Sequence, residues 1–138
     1  MAFPPEHRAF FERDNLAAIS TLGKDGGPRV TMVWVDVDGD DILVNSTRSR
    51  LWPRNLERDP RVALCAFEKE NVFHNVSVIG HVVSITPEGG WEHIQKVARK
   101  YGLDEYRGPS DRLVIRIAVE RSHLYQPQRT AGSAPSRD

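Results

Sequence analysis

The sequence predicts a mainly β protein, a small antiparallel barrel of six or seven strands with a few short helices. Three observations predict it. Short apolar runs recur along the chain, and the run from Arg29 to Val37 alternates with period two. Glycine turns of hairpin type separate the early runs. Only one late stretch carries the period of a substantial amphipathic helix.

Pro4 to Arg13 suits a short helix, with Phe10 and Phe11 seeking cover. Ala17 to Leu22 is a short apolar strand, and Lys24-Asp25-Gly26-Gly27-Pro28 is a turn. In Arg29 to Val37, Val30, Met32, Trp34 and Asp36 share one face, and Val33, Val35 and Val37 the other. Asp38-Gly39-Asp40 turns this strand into the next, Asp41 to Ser46; Asp36 and Asp38 read as solvent-facing. Ser49 to Arg58 reads as a second helix, and Arg61 to Phe67 as a strand. A long strand runs from about Asn75 to Ile85 with Gly80 inside it, which predicts a bulge or barrel corner. Thr86 suits the N-cap of the main helix, Glu88 to Tyr101, with Pro87 at its first position. Its apolar stripe is Trp91, Ile94, Val97, Ala98 and Tyr101, and Gly102 closes it. That stripe suits a helix packed on the barrel or a partner subunit better than a cofactor wall. Leu113 to Val119 is the last clear strand, with Leu124-Tyr125 as an extension. One domain over 1–126 and a disordered, Pro/Ser/Gly-rich tail over 127–138 are expected.

Composition excludes several classes. Lys plus Arg balances Asp plus Glu at 19 each among 138 residues, so no overall charge calls for nucleic acid or a membrane surface. No apolar run approaches a membrane span, and the N-terminal stretch has no apolar signal core, so a cytoplasmic protein is expected. The single cysteine, Cys65, permits no internal disulfide and reads as a small buried residue. The five histidines show no zinc spacing. His74 and His81 read as hydrogen-bonded barrel residues on opposite faces of the long strand. No metal site is expected.

The most informative segment is Asn45 to Arg61. It holds Arg48, Arg50, Arg54, Arg58 and Arg61, just after Asn45, Ser46 and Thr47. The segment leaves a strand and enters a helix, where free backbone N–H groups, hydroxyls and planar guanidinium forks suit a phosphate. The same residues also suit a solvated basic helix with Glu57 and Asp59 as partners, and composition does not separate the two. Nucleic acid fits less well, since only Trp52 interleaves with the arginines. No nucleophile elbow, zinc-protease pair or phosphate loop is present.

Several stretches together resemble the pyridoxamine-phosphate-oxidase-like class of F420-dependent oxidoreductases. They are the Lys24–Pro28 turn, the Val33–Asp40 hairpin, Asn55-Leu56-Glu57-Arg58-Asp59-Pro60-Arg61-Val62 and Gly80–Gly89, supported by Lys96 and Lys100-Tyr101-Gly102. The resemblance spans roughly residues 5 to 126. It implies a split β-barrel that forms a homodimer, with cofactor sites between the subunits. By matching positions it implies cofactor binding by Asn45, Ser46, Thr47, Arg48, Arg50, Trp52, Arg54 and Asn55. Thr31, Met32, Val33 and Trp34 would lie beside the ring. The family usually carries Lys two residues after the Arg matched by Arg50; here that residue is Trp52. If Trp52 is merely a lost phosphate ligand, lysine there should tighten deazaflavin binding.

The expected function is hydride transfer between coenzyme F420 and a small conjugated organic substrate. FMN or FAD on the same fold, or a non-enzymatic barrel binding flavin or haem, are the alternatives that Trp52 keeps open. Trp34 and Trp91 are candidate anchors of the dimer interface. The resemblance names no proton donor.

Overall fold

Seven strands and three helices follow one another in the computed structural model, which describes residues 1–127. Apart from Pro127, the tail expected to be disordered lies outside the described residues. Helix α1 spans Pro5–Glu12 and the strands begin with β1, Leu16–Leu22, and β2, Pro28–Val33. Then come β3 (Asp36–Asp38), β4 (Asp41–Thr47), α2 (Leu51–Arg58) and β5 (Arg61–Phe67). The chain ends on β6 (Asn75–Thr86), α3 (Gly90–Lys100) and β7 (Arg112–Tyr125).

All the strand pairs are antiparallel, in the order β2-β1-β5-β6-β7-β4-β3. Strands β2 and β3 lie at opposite edges of this sheet, yet only Trp34 and Val35 separate them in sequence. The single strand expected over Arg29 to Val37 is therefore two strands with different partners. In the sequence the alternation carries on across the crossing, whereas in the fold the neighbours Val35 and Asp36 are both buried.

The inner face of the curled sheet supplies the core, including Ile19, Ile42, Val44, Val76, Val78, Ile115 and Ile117, all essentially buried. Phe10 and Phe11 of α1 find the cover their apolar bulk demands, with Phe3 edge-on to Phe11 at 5.6 Å. Burying each such ring contributes about 1.5–3 kcal/mol. Gly80 marks a register shift between β6 and β7, and a Cβ there would stand 2.3 Å from the Ala118 carbonyl oxygen. The expected bulge is there because the two backbones approach too closely for a side chain.

Helix α3 starts three residues later than the capping pattern suggests. Gly89, at φ +71°, is its N-cap, and Thr86 Oγ1 instead accepts from the Glu88 N–H at 3.2 Å in a local turn. Ile94, Val97 and Ala98 are buried while Trp91 is exposed, so the stripe faces the sheet at β4 and β7. Gly90 lets α3 touch the start of β7, since a Cβ there would sit 2.4 Å from the Arg112 carbonyl oxygen. Cys65 is only half-buried, on the outer face of β5, and burial pushes its thiol up. No helix among the described residues is long and apolar enough to cross a membrane.

Candidate functional site

A groove opens where the β2 edge, the end of β4 and the start of α2 meet near α3. Its first compartment, about 310 Å³, is walled by Met32, Val33 and Trp34 from the β2 end, Asn45 and Ser46 from β4, and Arg50 and Trp52. A second, about 330 Å³, shares Arg50 and Trp52 and adds Thr31 and Asn55. A third, about 450 Å³, shares Leu51 and Asn55 with the second and adds Lys24, Arg54 and Arg58. The anion segment and the ring-side strand, separate in sequence, thus meet along one groove.

Two of the residues expected there stand elsewhere. Arg48 points to Glu57, 3.6 Å away on the exposed side of α2. Thr47 is buried and its hydroxyl bonds to the Ser49 hydroxyl at 2.7 Å. Asn55 touches the groove but is a buried brace: it donates to Thr21 Oγ1 at 3.1 Å and accepts from Arg58 Nη2 at 2.9 Å. Arg58 also donates to the Leu22 carbonyl, and Arg61 pairs with Asp59 at 2.7 Å, so these two arginines act locally. Arg50 and Arg54 form no ion pair among the described residues, and the first turn of α2 has neither a side-chain cap nor an acidic residue. A positive junction without a counter-ion is what a phosphate requires.

Trp52 is 8% exposed and belongs to the hydrophobic core, with one edge shared by two compartments. It packs into a space where an ammonium would be stranded, so lysine here would not act as a free phosphate ligand.

Sequence reading missed the polar chain at the far wall. Asp36, expected in solvent, is 6% exposed. Its Oδ2 accepts from His93 Nε2 at 3.1 Å and Lys96 Nζ at 3.3 Å. Burial works to raise the Asp36 pKa, but the His93 bond, the Val37 N–H and Lys96 outweigh it and hold the carboxyl at about 2. Asn45 donates through Nδ2 to His93 Nδ1 and to the Gly90 carbonyl, both at 3.0 Å, and Arg112 Nε donates to Asn45 Oδ1 at 2.8 Å. Further along α3, Lys100 Nζ donates to the Phe11 and Val35 carbonyls, and the Tyr101 hydroxyl accepts from the Val35 N–H at 3.1 Å. Trp34 stacks on Tyr101 with ring centroids 5.2 Å apart. The signal for this set was available: His93, Lys96 and Lys100 recur at helical spacing on one side of α3.

His74 bonds Glu68 and packs edge-on against Phe10, while His81 pairs with Glu120 at 3.0 Å. No cluster suited to a metal ion occurs among the described residues.

The pyridoxamine 5'-phosphate oxidase family profile matches residues 3–126. The chain belongs to this family. No curated protein matches it. Among solved structures it is similar to an F420 reductase, at 24% identity and TM-score 0.78, over 87% of this chain and 98% of that one. HupZ of Group A Streptococcus aligns at 19% identity and TM-score 0.68, over 97% and 98% of the two chains. General Stress Protein 26 of Bacillus anthracis aligns at 16% identity and TM-score 0.70, over 93% and 97%. These likenesses show a shared fold, and the seven-stranded sheet is the split barrel of the pyridoxamine 5'-phosphate oxidase family.

Proposed function

We propose that this chain is an F420-dependent oxidoreductase acting on a small conjugated organic substrate, as a cytoplasmic homodimer. The observation that carries the reading is Arg50. It stands without a counter-ion where two compartments meet, between the apolar and aromatic walls of Met32, Trp34 and Trp52. A planar ring with an anionic arm fits these walls: the ring against the β2 end, the phosphate toward Arg50 and Arg54. Ser46 Oγ, buried without a partner, is a further donor left open in the same compartment. Bound there, the deazaflavin supplies hydride transfer to the substrate. The chain's own part is to orient the ring, hold the phosphate and exclude water. Trp34 is fixed for that task by its stack on Tyr101.

Homodimerisation is supported by Val30, Met32 and Leu51, large apolar residues exposed on the groove's flanks. A second copy laid there would roof the groove. A cytoplasmic setting suits the lone unpaired Cys65. FMN or FAD is the second reading, favoured by Trp52, whose ring occupies the position where the family usually carries a charge.

The test is the visible spectrum of purified protein followed by a titration with F420. Quenching of F420 fluorescence by a colourless protein supports the reading. Flavin bands in the purified protein favour FMN or FAD, a Soret band favours haem, and absence of binding to all three overturns it.

A further inference from the structure

The wall of the first compartment holds a charge that its surroundings leave unanswered. Arg112 is 8% exposed and forms no ion pair among the described residues. Its Nε donates to Asn45 Oδ1 and its Nη1 to the Tyr106 hydroxyl, both at 2.8 Å, and its guanidinium lies 4.8 Å from the Tyr106 ring centroid. Nη2 donates to nothing among the described residues. Neutral acceptors orient a guanidinium but do not neutralise it. Burial lowers the Arg112 pKa, and the charge of Arg50 lowers it further, against opposing effects of Tyr106 and Asp111. A buried cation beside a second cation is costly until an anion joins them. Ser46 lines the same compartment, and its hydroxyl, in a residue only 2% exposed, has no hydrogen-bond partner.

The aim of Arg112 is set from behind. Arginine only donates, so the Asn45 amide must present Oδ1 to it and Nδ2 to His93 Nδ1. His93 Nδ1 therefore accepts, and its Nε2–H donates to Asp36. One buried chain, Asp36–His93–Asn45–Arg112, ends at the groove.

We propose that Arg112 is an oxyanion-binding residue of the groove, taking the carboxylate or phosphate of a small ligand. Ser46 is a supporting donor, and Asp36, His93 and Asn45 are positioning residues. The inference rests on the proposed function only for the source of the oxyanion, which is the substrate or the cofactor. Arg112 lines the first compartment and Arg54 the third, so the two ends of the groove carry separate cations.

The test uses the full chain with inorganic phosphate alone, read by thermal shift against matched chloride. Phosphate should stabilise the wild-type chain. Arg112→Ala should weaken phosphate about 10- to 150-fold, the loss expected for a charged hydrogen bond, and Arg112→Lys should recover part of it. Asn45→Asp, which sets a carboxylate against Arg112 Nε, should weaken phosphate at least as much as Arg112→Ala in a folded protein. Asp36→Ala should weaken phosphate, and Asp36→Asn, which still accepts from His93, should restore it. Binding of FMN against riboflavin, and of F420 against its dephosphorylated form, then assigns the source. If Arg112→Ala weakens only the phosphorylated forms, the oxyanion is the cofactor's. If it leaves both unchanged but raises KM for a carboxylate-bearing enone and not for its methyl ester, the oxyanion is the substrate's. Absence of phosphate protection in the wild-type chain, or a phosphate affinity in folded Arg112→Ala equal to that of the wild type, overturns the proposal. Failure of every flavin and deazaflavin to bind sinks the proposed function alone, since the phosphate result does not depend on it.

Discussion

Replacing Asp36 with Asn removes a charge from the buried chain at nearly constant shape. Folding holds this carboxyl at about 2 in place of 3.8. That difference corresponds to about 2 kcal/mol of stability. Because the folded value is depressed, the stabilisation is present above pH 3.8 and is lost as pH falls through about 2. Asparagine does not titrate, so the wild-type advantage over Asp36→Asn isolates this one group. It should be largest at pH 6 and shrink by about 2 kcal/mol by pH 2. In melting temperature the shift is about 7 °C for a chain of this size. Urea denaturation of both proteins at half-unit pH steps measures it. An advantage that stays constant from pH 6 to pH 2 would refute the argument, because the carboxyl would then gain nothing from its His93 and Lys96 partners.

Arg50→Ala or Arg54→Ala should raise the cofactor dissociation constant about 10- to 150-fold, measured by fluorescence titration. Arg58→Ala should spare binding but lose about 1 kcal/mol of stability in denaturant, since Arg58 braces Asn55 and the Leu22 carbonyl. Trp52→Lys strands an ammonium in the core and should lower stability by about 3 kcal/mol or more in the same assay; a stable protein with tighter F420 binding would refute this. Gly80→Ala drives a methyl group into the Ala118 carbonyl and should lose about 1–3 kcal/mol in chemical denaturation. Light scattering should show a dimer, and a monomer of 15.6 kDa at micromolar concentration would count against one.

Most strands were legible because each buries one face, and a period of two survives in the residues themselves. The Asp38-Gly39 turn and the Gly80 bulge were legible because glycine leaves few alternative explanations. The jump at Trp34–Val35 was not, because apolar residues continue through it in the sequence while the pairing partners change. The groove's near side was readable from the cluster of arginines beside Asn45 and Ser46. Its far side was not. Asp36 sits beside a turn, where carboxylates usually face water, and its partners His93 and Lys96 are far along the chain. Arg112 opens β7 as one charge among many, and only the fold leaves it without an anion. Trp52 reads in the sequence as a departure at a ligand position, and the fold adds that it also packs into the core.

The two-residue link between β2 and β3 gives the barrel an unusual kind of closure. In a continuous barrel the last gap is bridged by a ladder of hydrogen bonds, which any strand can reform after opening. Here the edges on either side of the gap do not pair, and the peptide chain itself spans it. The Val35 N–H and C=O, which a sheet would otherwise satisfy, are taken up by Tyr101, just past α3, and by Lys100 at its end. A cut at the Gly26 or Gly39 turn would free only one hairpin connection, leaving the cylinder intact. A cut between Trp34 and Val35 would turn the cylinder into an open ribbon. New chain ends introduced by circular permutation should therefore be tolerated at the turns and not at the link, although all three are short connections in sequence.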